Sequence, residues 1–368
     1  MAASSDLSGA SERTQPAAHR RVCVLGGGCI GLSTAVLLAE RLRDHYGDGS
    51  PVRTSVTIVS ESFPPSTTSN VAAGLVRPFS VANAAPQQLD RWTTTTRKWL
   101  EKHMALVSGP ERGIFPMFVV EGSDNEDDPP GWMRKMNAFK MLNNEEKSVL
   151  RLPSPCAWMW QTLIVESGLY LDYLKRVCVQ TDVQFVEKKI ESMDELAEYD
   201  LVVNCTGLAS RTLFNDMSMV PVRGQIMRVR APWIKHITIF NTGSVFTYII
   251  PNKDMVVLGG TTQEGNWSTE VSPTDSADIW ARCCEVIPSL RRATVLEETV
   301  GLRPLRKDGV RIALENVRLH DGRYLPVVHN YGHGGSGFTI HWGCAEDAVE
   351  LAMPALRLPG VTAVASKL

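Results

Sequence analysis

Apolar and polar positions in the first sixty residues follow two different periods. Residues 21–25 form a short apolar run that reads as a strand, and residues 55–59 alternate and β-branch as a second one. Between them Leu32, Ala35, Val36, Ala39 and Leu42 recur at helical spacing, which predicts a helix over residues 30–42 entered through a glycine turn at residues 26–31. Strand, turn, helix and strand make a βαβ unit. Residues 44–53, with two glycines, a proline and mixed charge, read as a surface loop inserted between the helix and the second strand.

Beyond residue 80 this alternation fades. Residues 89–107 read as a helix with Trp92 and Trp99 facing inward, and residues 122–131 as an exposed acidic turn. Residues 220–261 carry strand patterns at 224–229, 246–250 and 255–258, with Asn252, Lys253 and Asp254 turning the last pair, so a mostly antiparallel sheet is expected there. Residues 201–207 and 327–345 return to the pattern of the opening unit, which makes the first lobe discontinuous in sequence.

Composition narrows the class of partner. The chain has 368 residues, 43% of them apolar, and a net charge of −2 from 38 basic and 40 acidic side chains. That suits one enzyme-sized unit of two lobes, and gives no field to attract nucleic acid or an anionic membrane. A small-molecule substrate is favoured. The eight cysteines show no CxxC pair and no Cys/His spacing that suits zinc, so they read as reduced thiols and no metal site is expected. No apolar run reaches the length of a membrane span. Residues 1–20 lack the apolar core of a signal peptide and read as a disordered tail. The terminal Ser366, Lys367 and Leu368 form the tripeptide that the peroxisomal import receptor reads, which predicts the peroxisome matrix.

The glycine turn carries the first chemistry. Gly26, Gly27, Gly28, Cys29, Ile30 and Gly31 fit GxGxxG between a strand and a helix. Gly26 permits the tight turn, Gly28 lets the backbone approach a pyrophosphate, Gly31 allows close packing, and the helix N-terminus offers free N–H groups to the anion. Glu61, just past the second strand, is placed to accept hydrogen bonds from ribose hydroxyls; the loop at 44–53 accounts for its long spacing from the turn. This pattern does not separate FAD from NAD, or an oxidase from a dehydrogenase.

The segment Val327-Val328-His329-Asn330-Tyr331-Gly332-His333-Gly334-Gly335-Ser336-Gly337, followed by Gly343-Cys344-Ala345, closely resembles the signature of the D-amino-acid oxidase family, which includes the D-aspartate oxidases. Further resemblances follow in order: Thr67-Thr68-Ser69-Asn70-Val71-Ala72-Ala73-Gly74, Val203-Asn204-Cys205-Thr206-Gly207, Pro221-Val222-Arg223-Gly224-Gln225, Ala231-Pro232-Trp233, Gly301-Leu302-Arg303-Pro304 and the terminal tripeptide. The resemblance implies an α/β fold, with a discontinuous Rossmann-like FAD lobe and a substrate lobe on a mostly antiparallel sheet. Residues 21–80, 156–215 and 325–355 are assigned to the first, 81–155 and 216–324 to the second, and 356–368 to a C-terminal tail.

It also implies a reaction. A D-amino acid, water and O2 give a 2-oxo acid, ammonia and H2O2, with hydride passing from Cα to flavin N5. Arg303 matches the arginine that holds the substrate carboxylate, Tyr248 the tyrosine that assists it, and Gly335 the glycine whose carbonyl accepts from the amine. For FAD the match covers the glycine turn, Glu61, Ser62, Thr67, Thr68, Ser69, Gly74, Leu75, Ile190, Thr206, Gly334, Gly335, Ser336, Gly337, Phe338 and Thr339. No residue is expected as acid or base, His329, His333 and His341 included, since orientation of a neutral amine does most of the catalysis. Dimers are frequent in the family, but no segment identifies an interface.

Departures bear on the substrate. Ser244 stands where many relatives carry a gating tyrosine. Asn241 and Thr262 occupy positions where D-aspartate oxidases place arginines, and burying a second carboxylate without a cation is costly, so neutral D-amino acids are expected over D-aspartate. The alternatives are a D-aspartate oxidase and a glycine or sarcosine oxidase. Arg77, where neutral-substrate relatives often carry glutamine, is either a partner for an acidic side chain or a salt-bridged residue between lobes.

Overall fold

A computed structural model describes residues 18–356 apart from 48–49, 51, 80, 107–108, 125–128, 151, 153 and 243–244. Ser244, the terminal tripeptide and most of both expected tails lie outside the described residues.

Among the described residues six strands form one sheet, in the order β14 (Arg311–Arg318), β15 (Tyr324–Tyr331), β7 (Leu201–Asn204), β1 (Ala18–Leu25), β2 (Val52–Ser60) and β6 (Gln184–Glu187). All neighbours are parallel except the β14–β15 pair. A second sheet of nine strands runs β12 (Gln263–Glu264), β8 (Met219–Arg230), β11 (Val256–Gly259), β10 (Val245–Pro251), β9 (Ile237–Thr242), β3 (Ile114–Ser123), β5 (Cys156–Val165) and β4 (Asn137–Met141), with β13 (Thr294–Arg306) on the free side of β8. It is antiparallel except where β3 meets β9.

The helices of the first lobe are α1 (Cys29–Tyr46), α5 (Ser167–Gln180) and α8 (Gly337–Ala355), packed with α3 (Pro86–Met104). Short turns α2 (Thr68–Val71), α4 (Asn144–Val149) and α6 (Ser210–Leu213) join elements, and α7 (Pro273–Val286) covers one face of the larger sheet. Helix α1 is buried nearly all round. Leu32, Val36, Leu38 and Leu42 are each 1% exposed or less, a burial of about 1.5–3 kcal/mol per side chain. Its polar interruptions are satisfied internally, since the Ser33 and Thr34 hydroxyls donate to the carbonyls of Cys29 and Ile30, both at 2.7 Å. Gly343 brings α8 against α3: a Cβ there would lie 2.5 Å from the Trp92 Cα. Beside it the Trp99 and Trp342 rings stack with centroids 3.4 Å apart. No described helix is long and apolar enough to cross a membrane.

Several expectations need correction. Strand β1 begins at Ala18 and α1 continues to Tyr46, so the connection to β2 is confined to residues 47–51 and the long spacing of Glu61 comes from helix and strand length. Gly122 and Ser123 are buried in β3, paired with Ala157 and Cys156, not in an exposed turn. Strand β5, assigned to the cofactor lobe, lies in the larger sheet; β14, assigned to the substrate lobe, extends the smaller one. Helix α3 packs on α8, on the cofactor side.

Candidate active site

A cleft of about 720 Å3 opens where the carboxyl ends of β1, β2, β7 and β15 face the larger sheet. This is the edge at which parallel sheets bind ligands, and the volume suits a cofactor with a small substrate.

The glycine turn forms its floor. Gly26 adopts φ 118°, and a Cβ on Gly31 would lie 1.8 Å from the Gly26 carbonyl oxygen, so neither position accepts a side chain. The Gly27 N–H donates to Ser60 Oγ (2.9 Å) and the Cys29 N–H to Ser69 Oγ (3.0 Å), which ties the turn to β2 and to α2. The N-cap of α1 is Gly28, which has no side chain to cap the helix, so the first-turn N–H groups beyond Cys29 can turn to an anion. Glu61 and Ser62 lie on one lip at the end of β2, with Lys188, Lys189 and Ile190 beside them. Thr67, Thr68, Gly74 and Leu75 line the middle, as does Thr206, whose hydroxyl donates to Asn204 Oδ1 at 2.8 Å.

Gly334, Gly335, Gly337 and Phe338 form the far wall, and a Cβ on Gly335 would meet the Phe79 ring at 2.6 Å. Gly31, Ser336 and Thr339, three expected cofactor residues, do not line the cleft. Ser336 and Thr339 serve a different purpose. Ser336 Oγ accepts from the Phe79 N–H (2.7 Å) and donates to its carbonyl (2.8 Å), while Thr339 Oγ1 does the same for Arg77 at 3.1 and 2.9 Å. The start of α8 therefore grips the segment that carries Arg77 and Phe79.

On the larger sheet, Phe246, Tyr248 and Ile250 face the cleft at the two-residue period of β10. Arg303 reaches in from β13, donating Nη1 to the Thr261 carbonyl at 3.0 Å with its guanidinium 5.7 Å from the Phe79 ring centroid. It fits because its guanidinium lies over Gly224, two residues along β8 from its register partner Val222, where a Cβ would lie 2.3–2.4 Å from three guanidinium atoms. Likewise Gly259 and Gly260 make room for Tyr248, whose ring and hydroxyl a Cβ would meet at 2.1–2.5 Å. Burial pushes the Tyr248 phenol up from its ordinary value, against the lowering effect of Arg303 beside it, so it remains a protonated donor at neutral pH. Among the described residues no acidic side chain pairs with Arg303, whereas its neighbours Arg306 and Arg311 pair with Asp216 and Glu315, both at 2.7 Å.

Arg77 also lines the cleft, yet its Nη2 donates to Glu121 Oε1 at 2.7 Å. Sequence reasoning missed Glu121, 44 positions away, along with Phe79, Phe246 and Gly224. Only Phe246 left a legible signal, sharing a strand face with Tyr248. Asn241 and Thr262 lie outside the cleft lining. His333 lines the cleft, but burial pushes it down to about 3, and burial with His333 nearby does the same to His341. Burial and Arg311 bring His329 to about 4, even with Glu315 at 3.0 Å. Imidazoles this weakly basic are poor proton acceptors at neutral pH.

The start of α1 at Gly28, the glycine floor and the volume of the cleft fit FAD. The family model for FAD dependent oxidoreductase matches residues 21–351. Human D-aspartate oxidase is 36% identical over 92% of this chain and 97% of its own length. The D-amino acid oxidase of Dugesia ryukyuensis is also 36% identical, over 90% of this chain and 96% of its own. Among solved structures, glycine oxidase from Bacillus cereus ATCC 14579 superposes with TM-score 0.70 at 19% identity, covering 93% of this chain and all of that one, a likeness of fold. With FAD as its cofactor, the chain belongs to the D-amino-acid oxidase family of FAD dependent oxidoreductases.

Proposed function

We propose that this protein oxidises neutral D-amino acids to 2-oxo acids, ammonia and H2O2. The observation that carries the reading is Arg303: a guanidinium with no acidic partner among the described residues, held on Gly224 beside the protonated Tyr248, at the opposite end of the cleft from the glycine turn.

Bound FAD supplies the hydride acceptor and its reoxidation by O2. The chain's own residues bind and orient. Arg303 takes the substrate carboxylate through two parallel N–H bonds, and Tyr248 donates a further bond to it. The Gly335 carbonyl accepts from the amine, which fixes the rotation of Cα toward the cofactor. Phe79 and Phe246, stacked at 5.1 Å, exclude water on the remaining side. The residues proposed to hold FAD are Gly26 to Ile30 of the glycine turn, Glu61, Ser62, Thr67, Thr68, Ser69, Gly74, Leu75, Ile190, Thr206, Gly334, Gly335, Gly337 and Phe338.

Neutral side chains are favoured because Arg77, the one cation besides Arg303 at this end among the described residues, is already paired with Glu121. The terminal Ser366, Lys367 and Leu368 support delivery to peroxisomes through the import receptor, a compartment suited to H2O2 production. The test is anaerobic flavin bleaching by D-Ala, D-Asp, sarcosine and L-Ala in separate samples. Bleaching by D-Ala ahead of D-Asp is expected. Bleaching by sarcosine alone would replace the reading with a secondary-amine oxidase, and none by any of the four would leave FAD binding without this chemistry.

A further inference from the structure

Resting on the reading of the site as a D-amino-acid oxidase centre, we infer that Glu121 determines its side-chain specificity, by masking in Arg77 a second anion anchor. Four observations converge on this pair. Arg77 lines the cleft and is 12% exposed, whereas Glu121, on β3 behind it, is 2% exposed and does not line the cleft. The guanidinium sits against two aromatic faces, with Trp132 at 5.4 Å and Phe246 at 5.2 Å, so its position is fixed by more than the ion pair. Phe246 stacks on Phe79, and Phe79 in turn lies under Arg303, so the two guanidinium groups mark opposite ends of one aromatic pair.

The fourth observation is that the carboxylate is only half used. Glu121 Oε1 takes the bond from Arg77 and a longer one, 3.3 Å, from Asn241 Nδ2, while Oε2 is buried with no hydrogen-bond partner among the described residues. A buried carboxylate with an idle oxygen is a poor stabilising device, since charge desolvation exceeds what one ion pair returns. Its effect on the cleft is large instead. With Glu121 ionised, Arg77 and Glu121 sum to zero charge, and a substrate carboxylate arriving at Arg77 would leave a net negative charge in a desolvated site. A neutral side chain meets no such cost. Asn241, bonded to Glu121, holds the acid in this orientation. Removing the negative charge and keeping the shape would unmask Arg77 and turn the subsite toward acidic D-amino acids such as D-Asp.

The experiment compares FAD-loaded wild type, Glu121→Gln, and the neutral pair R77Q/E121Q. Readouts are kcat/KM for D-Ala and D-Asp and the Kd of their deaminated analogues, propanoate and succinate, from the shift of the flavin spectrum. E121Q is expected to raise the D-Asp to D-Ala ratio of kcat/KM at least tenfold and to tighten succinate by a similar factor, with propanoate changed less than twofold. R77Q/E121Q is expected to return both ratios to within threefold of wild type. A general packing defect would lower both substrates together and leave the ratio alone. An unmoved ratio in an E121Q enzyme that still oxidises D-Ala overturns the inference. So does a tenfold or larger loss of D-Asp preference in the double variant, which keeps the test open if E121Q alone does not fold, because it would mean Arg77 already serves as an anchor in the wild type. Failure of the wild type to oxidise either D-amino acid would instead remove the underlying reading.

Discussion

Replacing Gly224 by alanine isolates the role of Arg303 without touching it. The added methyl would sit 2.3–2.4 Å from the guanidinium carbon and both terminal nitrogens, where ordinary contact needs about 3.4 Å or more. Gly224 is not at positive φ, so alanine fits the β8 backbone and the conflict falls on the side chain. The guanidinium end must retreat by about 1 Å, lengthening its 3.0 Å bond to the Thr261 carbonyl and tilting the fork that takes the substrate carboxylate. A misplacement of that size costs about 100-fold, or about 2.7 kcal/mol of transition-state stabilisation. Stability should hold or rise by up to about 1 kcal/mol, because alanine restricts the unfolded chain more than glycine does. The assay is stopped-flow flavin reduction by D-Ala under anaerobic conditions, with flavin content and melting temperature as controls. A kcat/KM within threefold of wild type, in protein with full flavin content, would refute the placement of Arg303 as the carboxylate anchor.

Further outcomes follow from the same geometry. Arg303→Leu removes two charge-assisted bonds of about 1.5–3 kcal/mol each, so kcat/KM for D-Ala should fall by about two to four orders of magnitude while flavin absorbance stays at the wild-type level. Gly31→Ala drives a methyl to 1.8 Å from a backbone oxygen that cannot move aside; the variant should purify without flavin, as seen by absorbance. His333 and His341 are held neutral, with values near 3 against an ordinary 6.5 or so, so the stability they protect is present above about pH 6.5 and lost as pH falls toward 3. Each should steepen the loss by up to about 1.4 kcal/mol per pH unit, and His341→Asn should flatten urea unfolding measured between pH 6.5 and 4 by about one proton's worth.

Local patterns announced local structure. The glycine turn, the apolar spacing of α1 and the glycine-rich end of β15 each occupy a few consecutive residues, and their conformation follows from steric rules that act within the turn. The sheet to which a strand belongs is a different question. Strand β5 reads in isolation like any buried strand, and its place beside β3 is decided by pairing with Ile114–Ser123, which no period in Cys156–Val165 encodes. The substrate end divides the same way. Arg303 and Tyr248 were legible through resemblance, and Phe246 through its shared strand face with Tyr248. Glu121 was not, because nothing about an acid in a strand reveals which distant cation it meets. Ser336 and Thr339 were read as cofactor contacts since they sit among residues that line the cleft; their hydroxyls turn back onto the chain at Phe79 and Arg77.

The polypeptide visits the smaller sheet with β1 and β2, leaves for β3 to β5, returns for β6 and β7, leaves again for β8 to β13, and closes with β14 and β15. In order of synthesis, the glycine floor of the cleft is therefore laid down early and its far wall, from Gly334 onward, only after the larger sheet has been made. Until β15 is made, the far wall of the cleft is missing and the parallel edge at β7 waits for its partner. The lining of the cleft is complete only once Gly334 to Phe338 have been made, and neither lobe can be lent to another protein as a contiguous cassette.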